Sequence, residues 1–403
     1  MLANKSKKID TLQVLCFYPQ VLRILLMRIF MPVALAMFII FTSAGFESDA
    51  ALINDTIRVA IVKNAASVTV EGEGLLATRE NGTPVILTTP IVVKPLKDGI
   101  MAEGELYRRL IFASAALVKI NGKAYRGTAE VHPGEKGLLV VNELQLEDYL
   151  AGLINSEISS AWPIESVKAQ AVIARTYALN RKQARKQALY HLESTVMDQV
   201  YEGSRIEDSR ATRAVAETAG EVLTFGNAII QAFYHSNCGG KTEASENVWG
   251  AALPYMKGVD CKYCLSTPSS SWNLKISLRE VEDRLRSAGF KIADIVDMKA
   301  GNVNSRGRLS NIAVISQRGT LMIPGDQFRK AIGYGVVKST NLTIKITNGE
   351  VELNGSGNGH GVGLCQWGAK QRALDGFDYL EILSYYYPGT VLKKQYETFF
   401  AGR

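Results

Sequence analysis

The chain lacks the compositional extremes that mark several classes of protein. Its 46 Lys and Arg residues exceed its 39 Asp and Glu residues by only +7, an excess too weak and scattered to indicate nucleic-acid binding. The 11 Pro and 35 Gly residues are too thinly spread for a collagen-like or low-complexity protein. No internal repeat is visible, and no stretch after residue 50 is long and apolar enough to span a bilayer. The remaining pattern, with 47% hydrophobic and 21% charged residues in 403, is that of a globular protein of about two domains.

The first 50 residues are predicted to be a targeting segment. Arg28 precedes an apolar run, Ile29–Phe41, which is followed by small residues. This run is too short for a membrane span and is typical of a secretory signal peptide, with an uncleaved signal anchor as the alternative. If translation starts at Met27, residues 1–26 are a mis-assigned upstream extension. We therefore expect the rest of the chain to work outside the cytoplasm.

The body of the chain changes character near residue 142. Up to Val141, short runs of Val, Ile, Leu and Thr alternate with turn-forming pairs such as Asn121-Gly122, which predicts strands. Beyond that point the apolar period becomes helical, and later strands and helices are mixed. We predict an α+β protein with a β-rich N-terminal domain at 54–141 and a mixed α/β region with a substrate cleft at 142–392. A Ser-rich loop indicates an inserted segment near 266–340.

One acidic residue lies where a helix pattern calls for an apolar one. Leu146, Leu150 and Leu153 form the buried stripe of a predicted helix, and Glu157 continues that stripe. Burial and the negative end of the helix dipole, expected just before Pro163, both raise the pKa of this carboxyl. A carboxylic acid that stays protonated near neutral pH suits general-acid catalysis. The alternative is a helix-end Glu that turns to solvent.

The next helix is predicted to begin at Pro163 and carries a row of basic residues. Lys168, Arg175 and Lys182 recur at heptad spacing on a face other than the apolar stripe. Such a row is typical of a solvated surface, but near an acid it would hold an anionic substrate group.

Several separated motifs together resemble the SpoIID/LytB family of peptidoglycan-active proteins. They occur in the family's order and span roughly Asn54 to Thr390, which makes the resemblance more specific than any single motif. The motifs are Leu146–Leu150, Asn155–Ile158, Trp162–Glu165, Lys168–Ala171, Ala174–Ala178, Phe233–Thr242, Val248–Gly250 and Gly359–Ala369.

The resemblance implies lytic transglycosylase activity, with Glu157 of the Ser-Glu motif as the catalyst. Such an enzyme cleaves the MurNAc–GlcNAc bond of peptidoglycan and leaves a 1,6-anhydro-MurNAc end. The sugar's own C6 hydroxyl is the nucleophile, so one Glu serves as acid and then as base, whereas an ordinary glycoside hydrolase needs two carboxylates. The sequence offers no convincing second acid, because the helix dipole explains Glu147 and Asp148 at a helix start.

The expected substrate is the glycan strand, and the sporulation branch of the family suggests strands denuded of stem peptides. An alternative comes from the amidase-enhancer branch: a non-catalytic peptidoglycan-binding protein with an N-acetylmuramoyl-L-alanine amidase as its partner. In both cases we expect an exported protein that is periplasmic, associated with the cell wall or anchored to the outer face of the cytoplasmic membrane. The expected substrate-binding residues are Lys168, Arg175, Tyr177, His360 and Gln366.

A Gly-rich loop, residues 357–363, also belongs to these motifs. It follows an Asn-Gly hairpin and not the first strand of a βαβ unit, so we reject dinucleotide binding. Its glycines allow close backbone approach to a sugar or to another loop. His360 and Gln366 would supply hydrogen bonds and Trp367 a flat apolar surface; a purely structural histidine is the alternative for His360.

Two short pairs of soft ligands predict a metal site. His235 and Cys238 form one pair, and Cys261 and Cys264 form the other, a set that favours a closed, structural, tetrahedral zinc site. Cys365 is a further candidate that would replace His235. The rival hypothesis is two disulfides, because four cysteines remain after removal of the signal.

Overall fold

The computed structural model describes residues 55–267 and 270–395. The predicted export segment, residues 1–50, lies outside the described residues. Strands and helices are both abundant, which confirms the α+β class. No helix among the described residues has both the length and the apolar character needed to cross a membrane.

Between residues 55 and 145 the regular elements are all strands. They are β1 (Thr56–Ala65), β2 (Val68–Glu71), β3 (Leu76–Thr78), β4 (Pro84–Val85), β5 (Ile91–Leu96), β6 (Gly99–Ala102), β7 (Glu105–Tyr107), β8 (Leu110–Ala113), β9 (Val118–Ile120), β10 (Lys123–Tyr125), β11 (Thr128–Gly134) and β12 (Gly137–Gln145).

These strands form two sheets that share one core. The seven-stranded sheet has the order β13-β1-β12-β11-β8-β3-β4, in which β13 (Leu192–Glu193) comes from later in the chain, and the six-stranded sheet has the order β10-β9-β2-β5-β6-β7. Alternate residues such as Val68 and Val70 are fully buried because successive strand side chains point to opposite faces. Strand β12 spans the predicted boundary between 141 and 142, so the first sheet continues directly into the helical region.

The helical region begins with two short helices. The helices before the inserted segment are α1 (Leu146–Ala151), α2 (Ile154–Glu157), α3 (Ile164–Ala184), α4 (Ser209–Glu217) and α5 (Ser245–Trp249). The single helix expected from Leu146 to Glu157 is broken at Gly152, which caps α1. A Cβ atom on Gly152 would lie 2.9 Å from the carbonyl oxygen of Gly203, so the close approach of that loop leaves room only for glycine at the break.

Helix α3 is the central helix of this region. It packs against α4 and against three later elements: β14 (Glu221–Phe225), α8 (Gln366–Leu374) and α9 (Tyr379–Tyr386). Its residues are therefore buried on nearly every face between Ser166 and Leu179.

The inserted segment has its own hydrophobic core. Strands β17 (Ser271–Ser277) and β22 (Glu350–Ser356) pair antiparallel along their whole length. The first and last strands of the segment therefore lie next to each other. The segment runs from 271 to 356 and is longer at its C-terminal end than predicted, because β22 closes the sheet that β17 opens. Its other elements are α6 (Leu278–Ser287), β18 (Ile295–Ala300), β19 (Asn311–Ser316), β20 (Gly319–Pro324), α7 (Gly325–Ile332) and β21 (Leu342–Thr347).

Two distant motifs meet in a small parallel sheet. Strand β16 (Tyr234–His235) pairs with β23 (Leu364–Cys365), with Tyr234 opposite Leu364 and His235 opposite Cys365. This pairing places the motif around residue 235 beside the start of α8. The remaining strands are β14, β15 (Ala228–Ile229) and β24 (Val391–Lys394), which form one small sheet.

Candidate functional site

Glu157 ends helix α2 and is surrounded by hydrogen-bond donors from distant parts of the chain. The backbone N–H of Val200 donates to its Oε1 at 3.1 Å. The side chains of Tyr234 and Gln366 also hydrogen-bond to the carboxyl group. The three donors follow Glu157 by more than 40 residues in sequence, so the folded chain brings them together.

The environment of Glu157 favours the protonated carboxyl group. Desolvation is the largest effect and raises its pKa, while the hydrogen bonds from Val200, Tyr234 and Gln366 oppose that rise, and the net shift is upward. The residue is nevertheless only half-buried. A carboxyl group that is largely desolvated and still has accessible surface can exchange a proton with a bound molecule.

A chain of buried polar side chains stabilises the tyrosine at this site. Tyr149 donates to Gln199 Oε1 at 3.0 Å, and Gln199 Nε2 donates to the Tyr234 hydroxyl at 3.2 Å. Because the Tyr234 oxygen accepts from Gln199, its own proton is available for the Glu157 carboxylate. The orientation of Tyr234 therefore depends on residues that do not contact Glu157.

Gln366 and His360 both have hydrogen-bond partners within the protein. Gln366 Nε2 donates to Gln170 Oε1 at 3.3 Å. His360 accepts from the Val362 N–H at Nδ1 and donates from Nε2 to the Tyr234 carbonyl at 2.9 Å. Both His360 nitrogens are thus used inside the protein, and desolvation lowers its pKa to about 3. These bonds give His360 a structural role beside Tyr234, and its direct contact with a sugar stays a prediction.

Three expected substrate-binding residues on α3 have internal partners instead. Arg175 is fully buried and forms a bidentate ion pair with Glu147 at 2.8 and 2.7 Å. Tyr177 donates to Asp198 at 2.9 Å. Lys168 forms ion pairs with Glu165 at 3.0 Å and with Glu217 of α4 at 2.8 Å. Arg175 is thus enclosed by the fold with its charge paired to Glu147, and the half-buried Lys168 already has two carboxylate partners; their substrate-binding role stays a prediction.

We expect Arg175→Met to destabilise the fold by about 3–5 kcal/mol, because Glu147 would keep a buried charge without its guanidinium partner. Chemical denaturation would measure the free energy of unfolding. The control is Arg213→Met, which removes an exposed Arg213–Glu217 pair and should change the free energy of unfolding much less, because water screens such a pair. Equal losses in the two variants would contradict the structural role of Arg175.

Four buried cysteines form the second site. The sulfur atoms of Cys238, Cys261, Cys264 and Cys365 all lie within 4.8 Å of one another, and all four thiols are free. The N–H groups of Cys238 and Gly368 donate to Cys365 Sγ at 3.3 and 3.4 Å. In a tetrahedral zinc site with Zn–S distances of about 2.3 Å, the sulfurs are roughly 3.8 Å apart. The four thiols could therefore hold a metal ion with little movement.

His235 is not part of this group, and Cys365 takes the place that we predicted for it. The His235 ring donates from Nδ1 to the Val362 carbonyl at 3.1 Å and lies 5.5 Å from the His360 ring. Pairing of β16 with β23 places Cys365 opposite His235, and it is the Cys365 sulfur that lies among the other three cysteines.

Comparison with known proteins identifies the family. The family model described as Stage II sporulation protein matches residues 134–225. The chain is 32% identical over 317 residues to an uncharacterized protein of Brachyspira hyodysenteriae, covering 78% of this chain and 83% of that protein. It is 30% identical over 266 residues to Stage II sporulation protein D of Bacillus amyloliquefaciens, covering 62% of this chain and 74% of that protein. The chain belongs to the SpoIID/LytB family.

A second branch of the SpoIID/LytB family is also similar. The Amidase enhancer of Bacillus subtilis is 30% identical over 331 residues, which cover 70% of this chain but 46% of that protein. The matched region of the family model includes Glu157, Val200 and Gln199, whereas the four cysteines lie beyond it.

Sequence reasoning missed three residues of the Glu157 environment. Tyr234 stands in one of the motifs that resemble this family, so a signal for it was present. Gln199 and Val200 lie in a loop without a recognisable sequence pattern. Val200 acts through its backbone N–H, which almost every residue type has, so its identity gives no signal.

Proposed function

We propose that this protein is a peptidoglycan lytic transglycosylase that cleaves the MurNAc–GlcNAc bond, with Glu157 as the single general acid and base. Membership of the SpoIID/LytB family supports a role at the cell wall. The raised pKa of a half-buried Glu157 with three converging donors carries the proposal. We propose further that the protein acts outside the cytoplasm, where its glycan substrate lies.

The reaction needs one proton donor that later takes a proton back. Protonated Glu157 would donate to the glycosidic oxygen as the bond to MurNAc C1 breaks, releasing the next sugar with a free hydroxyl. The resulting carboxylate would then accept the proton of the MurNAc C6 hydroxyl as that oxygen bonds to C1. The donors on Glu157 stabilise this carboxylate stage, while desolvation favours the starting acid. Atoms balance without water, and the product is the 1,6-anhydro sugar.

The surroundings of Glu157 favour this mechanism over hydrolysis. The polar groups that contact its carboxyl group belong to Val200, Tyr234 and Gln366, and none of them is a carboxylate. Glu147 and Asp148, the acidic residues closest to it in sequence on the N-terminal side, are paired with Arg175 and Arg126. A hydrolase would need a second carboxylate to activate water or to attack the sugar.

We propose that the four cysteines hold a structural zinc ion. Zinc with four thiolate ligands has a closed coordination shell and supplies rigidity instead of activating water. Cys238 follows β16, which carries Tyr234, and Cys365 directly precedes Gln366. The ligands would thus hold together the two segments that provide side-chain donors to Glu157.

The alternative function is that of an amidase enhancer, which the similarity to the Bacillus subtilis protein favours. One experiment separates the two. Purified protein is incubated with glycan strands that carry or lack stem peptides, alone and together with an N-acetylmuramoyl-L-alanine amidase. We expect anhydro ends without the amidase. Absence of anhydro ends on either glycan, with faster release of stem peptides by the amidase, would favour the enhancer.

A further inference from the structure

A loop of the inserted segment reaches the part of the protein that carries the four cysteines. This loop, residues 301–310, connects β18 with β19. Arg308 Nη2 donates to the carbonyl oxygen of Cys238 at 2.8 Å. Arg306 Nη1 donates to the carboxylate of Asp260 at 2.8 Å, next in sequence to the Cys-x-x-Cys pair. One loop of the inserted segment therefore contacts two of the segments that carry the cysteines.

A buried carboxylate anchors this loop to the rest of the protein. Glu243 is 1% exposed, and its Oε2 accepts from Asn304 Nδ2 at 2.8 Å. Its Oε1 accepts from the N–H of Ala244 at 2.8 Å and from Asn247 Nδ2 at 2.7 Å. Asn304 Oδ1 in turn accepts from the backbone N–H of Arg308 at 3.1 Å. Hydrogen bonds therefore fix the backbone of Arg308 relative to Glu243.

The guanidinium group of Arg308 is buried and only partly compensated. Its Nε lies 4.0 Å from Glu243 Oε2, and its side chain is 2% exposed. Within residues 55–267 and 270–395, its Nη1 has no hydrogen-bond partner. Gly361 of the Gly-rich loop leaves the space for this group, because a Cβ atom there would lie 2.5 Å from Arg308 Nη2. A buried cation in such a position is costly unless further negative charge lies close to it.

The cysteines are close enough to supply that negative charge. Desolvation lowers the pKa of Arg308, while Glu243 and the sulfurs of Cys238, Cys365 and Cys264 act to raise it. A zinc ion with four thiolate ligands carries two net negative charges. Because opposite charges attract more strongly in a buried site than in water, a guanidinium group and a four-thiolate centre would stabilise each other here.

We propose that Arg308 is the counter-charge of the four-cysteine centre, so that the inserted segment determines how tightly the protein holds its zinc ion. This inference rests on the zinc site put forward under the proposed function. Arg308 is a positioning residue and not a ligand, because a guanidinium group only donates hydrogen bonds. It balances the charge of the thiolates and, through the Cys238 carbonyl, fixes the backbone of one ligand. Residues that support the ligands of a metal in this way typically change its affinity by about 10- to 100-fold.

Zinc binding by a double variant, Glu243→Gln with Arg308→Met, tests the proposal without any measurement of cleavage. Replacing both charged groups leaves no uncompensated charge between them, so the variant should fold, which circular dichroism checks. Competition with a coloured zinc chelator measures the dissociation constant. We expect zinc to bind about 10- to 100-fold more weakly than to the wild type. Cobalt in place of zinc should still give the absorption spectrum of four thiolate ligands, because all four cysteines remain.

Single variants separate the charge of Arg308 from its place in the fold. Glu243→Gln alone keeps the positive charge beside the cysteines and should bind zinc at least as tightly as the wild type. Arg308→Lys keeps a cation and should retain most of the affinity. The matched control is Arg318→Met at an arginine of the same segment whose side chain is 78% exposed. It should leave the affinity within about twofold, because water screens that charge.

The contrary outcomes can be told apart. Unchanged zinc affinity in the folded double variant would overturn the role of Arg308 and leave the zinc site in place. An affinity that falls as far in Glu243→Gln alone as in the double variant would show that the buried pair acts only through the fold, and would also overturn the proposal. Wild-type protein that binds no zinc would remove the metal centre itself, and this proposal with it.

Discussion

Replacing Glu157 by Gln is expected to reduce glycan cleavage about a thousand-fold, a typical contribution of a positioned general acid and base. Gln has nearly the same shape and still accepts the hydrogen bond from Val200, so binding should persist while proton transfer is lost. The initial rate of appearance of anhydro ends on denuded strands measures the effect. The KM should change little, because the substitution removes an interaction that acts in the transition state.

The pH dependence gives a second view of the same carboxyl group. Because the pKa of Glu157 is raised, the acid form persists to higher pH than for an exposed Glu, and the rate should fall as pH rises through that pKa. The Tyr234 hydrogen bond lowers the pKa of Glu157, so Tyr234→Phe should move the falling limb of the profile to higher pH. A shift to lower pH would contradict the assigned donor.

The control for Glu157→Gln is Glu350→Gln. Glu350 is an exposed residue in the hairpin of the inserted segment, and its replacement should leave the rate within about twofold, because it changes charge far along the chain from the proposed acid. Unchanged cleavage in Glu157→Gln, with normal folding, would assign the chemistry to another residue.

Cys365→Ser is expected to remove the metal ion and to destabilise the protein. Wild-type protein should contain about one zinc per chain by elemental analysis, and the variant should contain much less, because a hydroxyl is a far weaker ligand than a thiolate for zinc. Loss of a tightly bound ion should lower the free energy of unfolding by about 4 kcal/mol or more. Cleavage should fall in parallel, since the ligands lie beside the segments that carry Tyr234 and Gln366.

His235→Ala distinguishes the two ligand sets. The structure groups four thiols and leaves out the His235 ring, so this variant should keep its zinc. Zinc loss in His235→Ala with retention in Cys365→Ser would restore the set predicted from sequence spacing. Protein without zinc and without free thiols would instead support two disulfides.

The sequence singles out Glu157 as the proposed acid but not the residues that shift its pKa. Periodicity alone places Glu157 on a buried stripe, and the structure confirms that Leu146, Leu150 and Leu153 are buried. It does not reveal the break at Gly152, where a loop about 50 residues away approaches so closely that only glycine fits. The donors to Glu157 are equally remote, so local pattern carries no information on their position.

The surroundings of the charged and ligating residues depend on the fold in the same way. Heptad spacing made Arg175 resemble a surface residue, but four elements pack around α3 and pair it with Glu147. Spacing also grouped His235 with the cysteines because the two residues of the pair are close in sequence. The parallel pairing of β16 with β23, which brings in Cys365 from more than 100 residues away, can be read only from the fold.

The most direct test of the account is the chemistry of the product. Denuded glycan strands are digested by the wild-type protein in water labelled with heavy oxygen, and the fragments are analysed by mass spectrometry. If Glu157 acts alone and the sugar's own hydroxyl attacks, the MurNAc ends will be anhydro sugars that carry no label. Reducing MurNAc ends that contain heavy oxygen would show that water is the nucleophile and would contradict the single-acid mechanism.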